Sequence, residues 1–267
     1  MFYNLLTTII KQTQETFLKI NGNTILITGG ATGIGFALAE VFLKEGNEVV
    51  ICGRRKNRLQ EAKEKLPAVH IRRCDIADPA ERTALLKWTV DNFKNLNVLV
   101  NNAGIQRQID FTNGVDEYQG EEKEIVINLL APVHLSALFI PHLLRRQDAA
   151  IVNISSGLGF VPLAIMPVYC ATKAALHSFS CSLRHQLRNT TVKVFEIIPP
   201  TVDTELDQGA RAKRGQADRG IKPEEVAEAT ILGLHKDDYE LAIGRADFLR
   251  MKSRNDPEGI FRTLNPS

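Results

Sequence analysis

The chain has 267 residues, 44% of them apolar, with 33 Lys and Arg against 31 Asp and Glu. That length and apolar content suit one α/β domain with a substantial core. The net charge of +2 points neither to nucleic acid nor to an acidic polymer as partner. The four cysteines, Cys52, Cys74, Cys170 and Cys181, form no C-x-x-C pair and show no zinc-type spacing with histidine. Reduced, mostly buried thiols and no metal site are therefore expected.

In chain order, the first 22 residues come first. Phe2, Leu5, Leu6, Ile9 and Ile10 share one helical face, and Lys11 follows the apolar cluster, the reverse of a secretory signal. An amphipathic extension packed on its own domain or on a second subunit is expected. Its polar face is poor in Lys and Arg, which argues against a membrane-surface helix. No apolar run approaches the roughly 20 residues needed to cross a bilayer, so no integral membrane segment and a cytoplasmic location are expected.

From Thr24 onward, β-branched runs at 24–28, 49–52, 69–74, 98–101, 151–155, 192–198 and 241–243 alternate with helical patterns at 34–45, 58–66, 79–93, 121–146, 168–187 and 223–235. Such alternation predicts parallel strands joined by crossover helices. The fold expected over 23–267 is a single Rossmann-type doubly wound α/β domain, a seven-stranded parallel sheet with helices on both faces.

The first strand runs directly into Thr28-Gly29-Gly30-Ala31-Thr32-Gly33-Ile34-Gly35 and a helix. Gly29 suits the tight turn, Gly33 a close backbone approach to a pyrophosphate, and Gly35 close packing of helix on strand. The T-G-x-x-x-G-x-G spacing resembles the cofactor turn of the short-chain dehydrogenase/reductase family; the commoner G-x-G-x-x-G form is absent. The resemblance implies cofactor contacts from Thr28, Gly29, Thr32, Gly33, Ile34 and Gly35.

The second strand ends in Arg54-Arg55-Lys56 with no carboxylate. An acidic residue at that point binds the ribose 2′-OH of NAD, whereas arginine accommodates the 2′-phosphate of NADP. Arg54, with Arg55 beside it, therefore points to NADP over NAD, the alternative being a solvated basic turn. After the third strand, the resemblance implies that Asp75 and Ile76 meet the adenine; Asp75 equally suits a cap on the next turn. The fourth strand leads into Asn101-Asn102-Ala103-Gly104, which looks like the family's N-N-A-G segment lining the cofactor ribose, with Asn102, Ala103 and Gly104 as contacts.

In the 121–146 helix, Asn128 matches the family's fourth catalytic residue. Pro132, four residues on, has no N–H, so the Asn128 carbonyl loses its ordinary helical donor. Either that carbonyl holds a water in a proton relay to Lys173, or the proline serves packing. Ser156, at the end of the fifth strand, matches the family's substrate-orienting serine; Ser155 is the adjacent alternative. Tyr169 and Lys173 follow Pro167 on a helix, one turn apart on one face. A nearby ammonium favours the phenolate and lets tyrosine exchange protons nearer neutral pH. The resemblance adds cofactor contacts from both side chains.

The sixth strand ends Pro199-Pro200-Thr201-Val202-Asp203-Thr204. The family usually has Pro-Gly here, so Pro200 is a departure; the resemblance implies nicotinamide contacts from Pro199, Val202 and Thr204. The basic, weakly apolar stretch 205–220 reads as a surface segment, and as a substrate lid by the family's layout. More narrowly, 131–139 and 199–204 look like the DltE-like oxidoreductases of bacteria. His134, His142, His177 and His185 read as packing or surface residues.

The implied activity is NADPH-linked reduction of a small-molecule carbonyl, or oxidation of the alcohol, by Asn128, Ser156, Tyr169 and Lys173. The alternative is an NADP-sensing regulator without chemistry on the same fold. A homodimer or homotetramer formed through 121–146 and 168–187 is expected.

Overall fold

Runs of Val, Ile and Leu that are apolar on both sides of a strand belong inside a sheet covered on both faces, and that is where they lie. In a computed structural model, described over residues 18–118, 120, 122–206 and 220–266, seven strands form one parallel sheet in the order β3-β2-β1-β4-β5-β6-β7. They are β1 (Thr24–Thr28), β2 (Glu48–Gly53), β3 (His70–Arg73), β4 (Leu96–Asn101), β5 (Ala149–Ile154), β6 (Val192–Ile198) and β7 (Glu240–Ala242). Among the described residues, the helices of eight residues or more are α1 (Gly33–Lys44), α2 (Lys56–Lys65), α3 (Pro79–Asn92), α4 (Glu122–Leu143), α5 (Pro167–Leu187), α6 (Pro223–His235), α7 (Arg245–Asn255) and α8 (Pro257–Leu264).

Alternation along each strand builds two cores. Ile25, Ile27, Val49 and Ile51 pack with Leu38 and Phe42 of α1 and Val226 and Leu234 of α6. Leu26, Val50 and Leu99 face the other way, onto Leu85 of α3, Leu135 and Phe139 of α4 and Leu183 of α5. Each such fully buried side chain contributes about 1.5–3 kcal/mol. Trp88 ties α3 to the sheet edge: its ring lies 5.4 Å from Phe93 and under the Arg72 guanidinium at 5.0 Å. The strand order reverses between β1 and β4, so the crevice for a ligand opens at the carboxyl ends of those strands.

The structure corrects the sequence reading in several places. The 121–146 helix is not continuous α-helix: within α4, Val126–Leu130 is a π-turn, and the helix ends at Leu143. The Ala131 N–H reaches back five residues to Val126, so the irregular ladder sits where Pro132 withholds a donor. Strand β5 stops at Ile154, which puts Ser155 and Ser156 in the loop beyond it. Helices α7 and α8 were not foreseen. Among the described residues, α4 is the one helix long and apolar enough to cross a bilayer, which the run-length reading missed. Its Ala131, Leu135, Phe139 and Leu143 are packed in the sheet core instead. The extension expected over 1–22 lies outside the described residues up to position 17, as does most of the 205–220 lid, from 207 to 219.

Candidate active site

The first component is a backbone cradle between β1 and α1. Gly29 and Gly33 have φ of +65° and +56°, a region that side chains resist. A Cβ on Gly35 would sit 2.4 Å from Asn102 Nδ2 and 2.5 Å from the Gly29 carbonyl oxygen, so helix and turn touch only because Gly35 has none. Thr32 begins α1 without a side-chain cap, and no carboxylate stands in the first turn. The first N–H groups of α1 are thus left for an anion.

Thr28 and the N-N-A-G segment hold this cradle in shape. The Thr28 hydroxyl accepts the N–H groups of Asn102 at 3.0 Å and Ala103 at 3.1 Å. Asn102 Nδ2 donates to the carbonyls of Thr28 at 2.9 Å and Gly29 at 3.2 Å. Asn101 and Asn153 are register partners on β4 and β5; Asn101 Nδ2 donates to Asn153 Oδ1, and Asn153 Nδ2 to Ser180 Oγ, both at 2.9 Å. This chain of buried side-chain hydrogen bonds links β4 and β5 to α5 through Ser180, with Asn101 Oδ1 left without a partner.

The second component centres on Lys173. Its Nζ donates to the Ile154 carbonyl at 2.8 Å, two residues before Ser156, and lies 5.6 Å from the Tyr169 ring centroid. A Cβ built on Gly104 would be 3.4 Å from Asn128 Oδ1 and 3.8 Å from Lys173 Nζ. Tyr169, Lys173, Ser156 and Asn128 are all buried. Burial pushes the Lys173 ammonium down to about 8, against the opposite pull of Glu196 and Glu124.

Asn128, in the π-turn, spends its amide on position 105: Oδ1 accepts the Ile105 N–H at 2.9 Å and Nδ2 donates to the Ile105 carbonyl at 2.8 Å. Its second donor interaction reaches Thr172 Oγ1 at 3.2 Å, and Thr172 in turn donates to the Tyr169 carbonyl. Ser156 Oγ accepts the Leu158 N–H at 3.2 Å. Ser155 lies deeper, with its N–H on the Ile197 carbonyl.

A family model described as short chain dehydrogenase matches residues 23–215. The chain is 52% identical over 248 residues to the uncharacterized oxidoreductase DltE of Bacillus subtilis (strain 168), covering 93% of this chain and 98% of that protein. It belongs to the short-chain dehydrogenase/reductase family. Two solved structures share the fold: a short chain dehydrogenase from Burkholderia cenocepacia J2315 in complex with NADP and a short chain dehydrogenase/reductase from Burkholderia phymatum in complex with NAD. The first has a TM-score of 0.80 and 24% identity over 92% of this chain and 99% of that one. The second has 0.80 and 23% over 93% and 97%. This dehydrogenase/reductase is therefore an NAD(P)-dependent oxidoreductase, and its likeness to the DltE-like subgroup, read first from two short segments, extends over nearly the whole chain.

The remaining predicted positions follow the carboxyl ends of β2, β3 and β6. Arg54 is exposed at the end of β2. Arg55 and Arg58 both reach Glu205, at 3.3 and 2.8 Å. Asp75 caps its own turn, accepting the Ala77 N–H at 3.0 Å, and Ile76 is buried in the core with its carbonyl on Arg82 Nη1. The Pro199 carbonyl accepts the Gly157 N–H at 3.1 Å. Past Pro200 the chain bends, with one isolated bridge: Val202 pairs with Ile221, and the Asp203 N–H meets the Ile221 carbonyl at 2.9 Å. Thr204 stands over the glycine turn, 3.0 Å from where a Gly33 Cβ would be.

Sequence reasoning missed Thr172, the Ile105 backbone, Gly30 and Glu205. A Cβ on Gly30 would lie 2.5 Å from Ile51 Cγ2. Thr172 was reachable from spacing, because it lies on the helix turn between Tyr169 and Lys173; the others are long-range contacts without a local signal.

Proposed function

We propose that this enzyme uses NADP(H) to interconvert a small-molecule carbonyl and its alcohol, with Tyr169 as the proton donor and acceptor. The cradle suits a dinucleotide, since uncapped N–H groups, positive-φ glycines and absent Cβ atoms leave room for a pyrophosphate at the start of α1. Thr28, Gly29, Thr32, Gly33, Ile34, Gly35, Asn102, Ala103 and Gly104 would hold it on one side, and Pro199, Val202 and Thr204 on the other. The basic group Arg54, Arg55 and Arg58, with no carboxylate on β2's end, favours the 2′-phosphate of NADP. Bound there, the nicotinamide supplies or takes the hydride.

The protein's own part is proton transfer and orientation. The observation that carries this reading is the anchoring of Lys173 to the Ile154 carbonyl beside Tyr169, next to the Ser156 loop. At neutral pH Lys173 is below its value of about 8 and holds its proton, so its charge favours the Tyr169 phenolate. In reduction, the Tyr169 hydroxyl gives its proton to the carbonyl oxygen as that oxygen gains negative charge. Ser156 holds the same oxygen by a hydrogen bond. A water held by the Asn128 backbone carbonyl would pass the replacement proton to Lys173 and from there to Tyr169, and in oxidation every step reverses. Assembly as two or four copies through α4 and α5 belongs to the same proposal, with Leu130 exposed on α4.

The test is an NADPH-oxidation screen against a panel of small ketones, aldehydes and keto acids, repeated with NADH. The expected outcome is turnover with NADPH on at least one carbonyl, lowered by about 10²–10⁴-fold in Tyr169→Phe. Turnover unchanged in that variant would remove Tyr169 from the chemistry.

A further inference from the structure

Beyond the crevice, α5 carries a second cluster that the proposed reaction does not use. His177 stands one turn past Lys173 and Cys181 one turn past His177, on one helical face. Glu196 and Glu240 are register partners on β6 and β7. Val192 and Val194 of β6 pack against the α5 side of the sheet, and Glu196 continues that alternation toward α5. One ligand atom from each of His177, Cys181, Glu196 and Glu240 lies within 4.8 Å of the others. His177 Nδ1 is 2.8 Å from Glu196 Oε2, and Cys181 Sγ is 3.8 Å from His177 Nε2.

The cluster is electrostatically incomplete as it stands. Glu196 is fully buried, 0% exposed, and its Oε1 has no hydrogen-bond partner. A carboxylate oxygen so placed is costly. A second carboxylate directly across on the next strand adds like-charge repulsion. Among the described residues, none of the neighbouring cations hydrogen-bonds Glu196 Oε1: Arg250 binds Glu240 Oε1 at 2.8 Å and Asp247 at 2.7 Å, Arg184 donates to the carbonyls of Val194 and Tyr239 at 2.9 and 2.7 Å, and Lys173, though its charge is felt by Glu196, donates to the Ile154 carbonyl.

We propose that His177, Cys181, Glu196 and Glu240 form a closed structural site for a zinc-class divalent cation, tying α5 to β6 and the edge strand β7. A thiol, an imidazole and two carboxylates make a borderline donor set that suits zinc, whereas magnesium and calcium take oxygen alone. Metal bonds of about 2.0–2.3 Å put tetrahedral ligands roughly 3.3–3.8 Å apart, so completing the shell takes side-chain rotation that draws the widest-spaced ligand atoms, up to 4.8 Å apart, together by about 1 Å and opens the 2.8 Å His177–Glu196 contact. Four protein ligands leave no open position, which marks the site as structural rather than hydrolytic. Phe160 covers the imidazole, its ring centroid 4.7 Å away, and Arg250 supports Glu240 from outside. No spacing motif announced the set, because its members come from three elements. The inference does not depend on the hydride chemistry proposed above.

The experiment is titration of the metal-stripped full chain with cobalt(II), followed by displacement with zinc. The expected result is one cobalt per chain, a thiolate-to-cobalt absorption band in the near ultraviolet, and loss of that band when zinc is added. Cys181→Ser should lose the band, and Glu240→Gln should weaken cobalt binding by at least about tenfold. Circular dichroism checks the fold of each variant; if Cys181→Ser does not fold, Glu240→Gln decides by the same criterion. Absence of a thiolate band in the wild type, or variants that bind as the wild type does, would overturn the proposal and leave a metal-free ion network.

Discussion

At the glycine turn the working surface is backbone: positive-φ glycines, uncapped N–H groups and a position, Gly35, where even one methyl meets Asn102 and Gly29. At the mouth of β5 it is side chains: Lys173 reaching Ile154, Asn128 clasping Ile105, and Tyr169 packed beside Met166 and Cys170. The first region works by what is missing and the second by what converges. Substitutions should therefore separate them, with binding lost at one and chemistry at the other.

The largest binding effect is expected at Gly35. Gly35→Ala forces a Cβ against backbone and the Asn102 amide, which should cost about 1–3 kcal/mol of stability and abolish NADPH binding. Urea denaturation and a nucleotide fluorescence titration check both; unchanged binding would break the idea that the turn tolerates no bulk.

On the side-chain half, Lys173 gives a signed pH dependence. Its folded value of about 8 lies below the ordinary 10.5. Between those values the unfolded chain therefore binds the extra proton, and stability rises with pH. From pH 7.5 to 9.5 the wild type should gain roughly 2 kcal/mol relative to Lys173→Met. Parallel urea curves at the two pH values measure this, and equal slopes in both proteins would contradict a buried ammonium.

Smaller effects are expected on the basic rim. Arg54→Ala should weaken NADP binding by about tenfold or more and leave NAD binding unchanged, the loss of a charge-assisted hydrogen bond. Glu205→Gln should act in the opposite sense. It releases Arg55 and Arg58 from an exposed carboxylate, an interaction worth about 0–1 kcal/mol, so NADP affinity rises at most severalfold. Equilibrium dialysis with both nucleotides checks the pair.

The same contrast explains what the sequence disclosed. The sheet was legible because buried parallel strands leave unbroken apolar runs, and all seven strands fall within two residues of their expected ends. The glycine turn was legible because its physics is local: a strand, a few small residues and a helix start in succession. Tyr169 and Lys173 were legible as neighbours on one helix face. The reach of Lys173 to Ile154, the Asn128–Thr172 link and the meeting of Arg58 with Glu205 join positions far apart in the chain, which periodicity cannot register. Pro132 did signal a disturbed helix, but its form, a π-turn, depends on how α4 packs. Helix α7 carries a largely polar surface that dilutes its apolar period, and α8 is only eight residues long, too short for a period to stand out; they still matter here, since Ala246 of α7 lies 3.0 Å from where a Gly157 Cβ would be, against the Ser156 loop.

The sharpest single measurement is the NADPH dissociation constant of Tyr169→Phe, read by fluorescence titration alongside its turnover on whichever carbonyl the wild type reduces. Division of labour between the two regions predicts a dissociation constant within roughly fivefold of wild type, the worth of one hydrogen bond, with turnover nearly lost. Binding that collapses together with turnover, or turnover that survives, would contradict it.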